Sequence, residues 1–142
     1  MKRSSLVAVA GLLAVTSSAA FAALRHMDYT VTITGKDGAA VHGSGMAKSE
    51  DKTTEVEIKL MGDVAGSVRP WHIHVGSCAK AGGIFGGARS YTPITIDAKG
   101  EGTTKATVPA SLPDTGTYYV NIHESAANMG KIVACGDLKM KM

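Results

Sequence analysis

A chain of 142 residues is long enough for one hydrophobic core and too short for a second of useful size. Its 15 Lys and Arg stand against 12 Asp and Glu, a formal net charge of +3, with no basic cluster interleaved with aromatic residues, which argues against a nucleic-acid surface. No apolar run reaches the roughly 20 residues that a membrane-spanning helix needs, so no membrane partner is expected.

The first segment reads as an export signal. Met1-Lys2-Arg3 is cationic, Leu6 to Val15 is an unbroken run of small and aliphatic residues, and Ala20-Phe21-Ala22 is a small-x-small cleavage site. Residues 1–22 are therefore expected to be a secretory signal peptide, with residues 23–142 forming one exported domain, in a bacterium within the periplasm. No cysteine stands at the cleavage site, so no lipid anchor is expected. Loss of Lys2 and Arg3 leaves 13 cationic residues against 12 acidic ones, a net charge of +1, and most of the apparent basicity is targeting. In an oxidising compartment the two cysteines, Cys78 and Cys135, are expected to form one disulfide.

Beyond the signal no segment repeats apolar residues at helical spacing for three turns, and short β-rich runs follow one another instead. Tyr29 to Thr34 alternates and ends at the turn Gly35-Lys-Asp-Gly38. Val41 to Lys48 is a weaker strand, where Gly43 and Gly45 suggest a bulge or a close backbone approach. Thr53 to Leu60 alternates charged and apolar positions. Val68 to Val75 is next, followed by a glycine-rich loop from Gly76 to about Ser90. Tyr91 to Asp97 and Thr103 to Val108 flank a hairpin at Ala98-Lys99-Gly100, and Pro109 to Gly116 is a linker. Thr117 to His123 and Lys131 to Leu138 complete the set. Eight strands without helices predict an all-β fold, an antiparallel Greek-key sandwich or barrel.

Histidines bring the chemistry. In Trp71-His72-Ile73-His74-Val75 the period of two sends Trp71, Ile73 and Val75 into the core and His72 and His74 to the other face. Side chains two apart on a strand are rooted about 6.5–7 Å apart, so both imidazoles can reach one ion. The same parity assigns Tyr118, Val120 and Ile122 to the core and Tyr119, Asn121 and His123 to the outer face. Taken alone, His-x-His also fits a solvated surface pair.

In combination these residues resemble a family. His72-Ile-His74-Val-Gly-Ser-Cys78 resembles the copper-ligand strand and first disulfide cysteine of the Cu/Zn superoxide dismutases. Asn121-Ile-His123-Glu124, followed by Ala134-Cys135-Gly136, resembles that family's last copper ligand and second disulfide cysteine. The turn Gly35–Gly38 with Val41-His-Gly43, and the segment Thr95 to Gly102, fall in the matching order. The resemblance spans almost all of residues 28–138 and implies an eight-stranded Greek-key barrel holding copper on His72, His74 and His123. A weaker similarity links the Tyr-Val-Asn-x-His strand to chordin-type (CHRD) domains.

The chain departs from the dismutase pattern in two places. Between His74 and His123 there is no histidine, so neither a bridging histidine nor a zinc site of the family type is expected. Three residues before the second cysteine the family carries an arginine that attracts superoxide, and Ile132 stands there instead, with Lys131 or Arg89 as possible substitute cations. Three imidazoles suit copper, zinc or nickel, with affinity for divalent ions peaking at Cu(II), and they leave coordination positions open. The two functions expected are copper-only dismutation of superoxide, and copper binding or delivery to and from a partner protein without efficient turnover. No catalytic residue is assigned; a zinc hydrolase would need a general base, for which the pattern offers Glu124. His42 reads as a surface histidine, Trp71 as core, the glycine-rich loop as a flexible cover, and Met140 and Met142 as a frayed end with thioethers suited to Cu(I). The oligomeric state is not legible.

Overall fold

In the computed structural model, which describes residues 26–142, nine β-segments follow one another. They are β1 (Met27–Gly35), β2 (His42–Ser49), β3 (Thr54–Met61), β4 (Val68–Arg69), β5 (Trp71–Val75), β6 (Ile94–Thr95), β7 (Gly102–Val108), β8 (Tyr118–Ser125) and β9 (Asn128–Met140). The described residues contain no α-helix, only a 3-10 turn at Ala88–Ser90. The expected signal peptide and its cleavage site lie outside the described residues.

Strand formation follows the alternation. In β1, Tyr29, Val31 and Ile33 are buried while Thr30 and Thr32 are exposed; in β3, Val56, Ile58 and Leu60 are buried and Glu55, Glu57 and Lys59 are exposed. Both Asp37 (φ 53°) and Gly38 (φ 80°) have positive φ, and the Ala39 N–H donates to Lys36 O at 2.9 Å. Such a turn matches the twist of the strands it joins. Gly43 and Gly45 mark a close approach: a Cβ would lie 2.0 Å from Lys59 O at the first and 2.4 Å from Ile58 Cδ1 at the second.

The strands form a seven-stranded antiparallel sheet in the order β5-β8-β9-β1-β2-β3-β7, with β4 and β6 paired separately. β9 is 13 residues long and pairs first with β8 and then with β1, so the sheet curls around its inner face into a half-barrel. β4 and β5 are separated by Pro70 alone. Taken as one interrupted strand they restore the expected count of eight, and the connections β3 to β4 and β7 to β8 cross the barrel as a Greek key requires.

Two expected strands are shorter than the sequence suggests. Val68–Val75 breaks at Pro70, which has no N–H to offer a ladder, and Tyr91–Asp97 contracts to Ile94–Thr95 after Pro93. Inside the curl lie Trp71, Ile73, Val120, Ile122, Ile58 and Leu60, each no more than 1% exposed. The Trp71 indole N–H donates to Thr92 O at 2.8 Å. The Cys78–Cys135 disulfide joins residues 57 apart in sequence and fastens the loop after β5 to β9.

One buried ion pair among the described residues was not foreseen. Arg69 donates from Nε to Asp63 Oδ2 at 2.8 Å, from Nη2 to Asp63 Oδ1 at 2.6 Å and from Nη1 to Glu124 O at 2.7 Å. The Asp63 side chain is 3% exposed. Burial raises its carboxyl pKa, but hydrogen bonds from Arg69 and the Val64 amide outweigh burial and leave it below its ordinary value. Asp63→Asn strands the guanidinium without a counter-charge and should lower stability by about 3–5 kcal/mol at pH 7. Because the folded-state pKa is depressed, the pair's contribution is present above the unfolded value of about 4 and is lost as pH falls through the folded value. Urea denaturation across a pH series should show the gap between wild type and variant closing in acid; a gap constant with pH would contradict the pairing.

Candidate metal centre

β5 and β8 pair with Trp71 opposite Ile122 and His72 opposite Asn121. Directly opposed residues share a face, so the core side of this pair carries Trp71, Ile73, Val120 and Ile122. The far side carries His72, His74, Tyr119, Asn121 and His123. His72 lies diagonal to His123, with ring centroids 5.1 Å apart; His72 and His74 are separated by 5.8 Å and His74 and His123 by 6.2 Å. One ligating nitrogen from each of the three lies within 4.8 Å of the others, so the group could hold a metal ion. The three expected ligands are thus brought together.

Hydrogen bonds decide which nitrogens face inward. His74 Nδ1 meets Gly82 O at 2.9 Å, and His123 Nδ1 meets Met129 O at 2.6 Å. A carbonyl can only accept, so each Nδ1 carries the proton and each Nε2 keeps a free lone pair. His72 presents Nδ1, which lies 3.1 Å from His123 Nε2. His74 Nε2 is buried and has no hydrogen-bond partner. An orphaned buried acceptor is costly, and a ligand is the economical account of it. Burial, followed by the neighbouring His123 and His74, pushes the His72 pKa down to about 4. Burial also lowers that of His123, against an opposing effect of its bond to Met129 O. His72 and His123 therefore stand neutral at neutral pH, the form that binds metal.

The face is not open to solvent as the alternation suggested. His72 and His123 are each 5% exposed and Tyr119 is 2% exposed. The glycine-rich loop is not a flexible flap but is held along the edge of this face. The Val75 N–H donates to Gly83 O at 2.9 Å and the Phe85 N–H to Ile73 O at 2.8 Å, so residues 82–85 run antiparallel along the free edge of β5. Val75, expected in the core, is 49% exposed at the end of that edge. The Gly82 N–H donates to the Tyr119 hydroxyl at 3.3 Å, and the Tyr119 ring packs against His74 at 5.2 Å. A Cβ on Gly82 would lie 2.0 Å from Val75 O. Only glycine lets this carbonyl come close enough to orient His74. Tyr91 stands edge-on to His72 at 5.4 Å and donates to Phe85 O at 2.7 Å.

The chain matches no model of a known protein family and no curated protein. The other two histidines, His42 and His26, are not part of the three-histidine group. His42 is exposed on β2 with Nδ1 3.0 Å from Ala40 O, and His26 lies 3.0 Å from Asp28. Ile132 pairs with His123 across β9. Lys131 is bonded to the Glu124 carboxylate at 2.5 Å, and Arg89 is exposed in the 3-10 turn.

Sequence reasoning missed the Gly82 and Met129 carbonyls and the Tyr91 and Tyr119 packing. Carbonyl acceptors carry no residue-type signature, although the Gly82-Gly83 pair marked the loop. Titration with Cu(II) or Zn(II) against a chelating indicator should saturate at one equivalent per chain. His72→Ala, His74→Ala and His123→Ala should each weaken binding strongly. Gly82→Ala, which displaces the carbonyl behind His74, should weaken it about 10–100-fold. His42→Ala should leave binding unchanged, and an equal loss from it would contradict the assignment.

Proposed function

We propose that this is an exported copper protein of superoxide dismutase type, whose His72, His74 and His123 hold a single copper ion at which superoxide is dismuted. The observation that carries this reading is the convergence of three imidazoles, one of them with an orphaned buried nitrogen, on one face of a Greek-key half-barrel beside a disulfide. An all-nitrogen donor set suits copper, and the affinity order for divalent ions peaks at Cu(II). Three protein donors leave a position for an external ligand. The resemblance of the His-x-His, Cys, His-Glu and Ala-Cys-Gly pattern to the dismutases supports the same metal, with the bridging histidine and zinc ligands missing from the loop between β5 and β6.

When bound, copper supplies the one-electron cycle between Cu(II) and Cu(I) that dismutation requires. The chain supplies orientation and access. The Gly82 and Met129 carbonyls hold the two Nδ1–H groups, Tyr119 and Tyr91 pack two of the rings, and the disulfide anchors the loop that carries Gly82. A second reading, copper holding or delivery to a partner protein, is favoured by the electrostatics. The Lys131 charge is matched by Glu124, and apolar Ile132 stands next to His123, so little attracts an anion.

Assay of the copper-loaded protein tests the first reading against the second. Dismutation should exceed that of the same concentration of free copper, and a chelator that strips the ion should abolish it. Ile132→Arg should raise the rate and make it fall with ionic strength, because steering acts within a Debye length of about 8–10 Å at ordinary salt. Tightly bound copper with background turnover in both proteins would overturn the dismutase reading. Copper transfer to an acceptor would then support delivery.

A further inference from the structure

We infer that Met27, Met140 and Met142 form a second, sulfur-only site that takes Cu(I). Tyr29 in β1 pairs with Met140 in β9. The ladder continues past the end of β9, since the Lys141 N–H donates to Asp28 O at 2.7 Å. One further step of this register sets Met142 opposite Met27. Met27 and Tyr29 are two apart on one strand, as are Met140 and Met142 on the other, so the period of two puts all three thioethers on the face where Tyr29 enters the core. The Tyr29 hydroxyl lies 3.9 Å from Met27 Sδ, which fixes the direction of that side chain.

The trio sits at the rim. Met27 is packed in part against the core, Met140 is 41% exposed and Met142 is fully exposed. Cross-strand and diagonal neighbours are rooted about 4.5–8 Å apart, within reach of side chains with three rotatable bonds. Lys139 and Lys141 alternate to the opposite face, so neither ammonium stands among the thioethers. Thioethers are soft, neutral ligands that select Cu(I) and release no proton on binding, whereas imidazoles must be deprotonated. Eight residues of β9, roughly 26 Å of strand, separate Met140 from Ile132 beside His123. The two sites therefore do not share ligands, and this one stands whether or not the histidine site turns over superoxide.

The test is anaerobic competition of the exported chain for Cu(I) against a chromogenic chelator, with three proteins compared. Wild type should hold two equivalents. A Met27→Leu, Met140→Leu, Met142→Leu variant, which keeps apolar volume, should hold one, and a His72→Ala, His74→Ala, His123→Ala variant should keep the other. X-ray absorption on that last protein should show sulfur neighbours, with binding unchanged between pH 5 and 7. Should the leucine variant keep the wild-type stoichiometry, the sulfur site is overturned while the histidine site stands. A single equivalent lost only in the leucine variant would uphold the sulfur site and count against the histidine one.

Discussion

The register between β5 and β8 is the constraint on which the site depends. Strand side chains alternate, so a slip of one residue would turn His72 and His74 into the core and Trp71 and Ile73 out of it. Burying a large apolar side chain stabilises by about 1.5–3 kcal/mol, and Trp71, Ile73, Val120 and Ile122 are all buried together. A slip would forfeit most of that. The histidines are therefore aimed by the core behind them, not by attraction among themselves. The Pro70 carbonyl reinforces the register by accepting from the His123 N–H at 2.8 Å. Arg69, one residue earlier, grips the Glu124 carbonyl one residue later, and Asp63 balances its charge.

Imidazoles gathered in a buried cluster carry a desolvation cost, which the fold meets by holding His72 and His123 neutral and by giving the Nδ1–H groups of His74 and His123 fixed carbonyl acceptors. What is left over is His74 Nε2, buried and unpartnered, and a close contact between His72 Nδ1 and His123 Nε2. A protein without a ligand for these atoms would gain by replacing them with apolar groups. The same preorganisation sets the limits of reactivity. His72 and His123 are buried, and the cation nearest in sequence to Ile132 is already paired with Glu124. Ligand geometry favours a metal more clearly than the surroundings favour capture of an anion.

Much of the architecture was legible in the sequence because it rests on parity. The alternation in Tyr29–Thr34 and Thr53–Leu60 located β1 and β3, and the parity of His72, His74 and His123 put three imidazoles on one face. The expected export signal and the two cysteines pointed to the disulfide. What parity does not encode was missed. Asp63 and Arg69 meet across a turn whose path the residues between them do not specify. Gly82 acts through its backbone and through the absence of a Cβ, which a glycine-rich loop disguises as flexibility. The loop folds back along the edge of β5, a long-range event with no local signal, and Val75 at the end of that edge is exposed where alternation expected it buried.

Anomalous scattering at the copper edge from crystals of the copper-loaded protein tests the central claim most directly. The account predicts one metal peak among the three rings, about 2.0–2.1 Å from His72 Nδ1, His74 Nε2 and His123 Nε2, as is usual for imidazole ligands. The Nδ1–H groups of His74 and His123 should remain on the Gly82 and Met129 carbonyls. An empty pocket at full copper loading, or a metal held on Nδ1 of His74 or His123 with those carbonyl bonds broken, would contradict it.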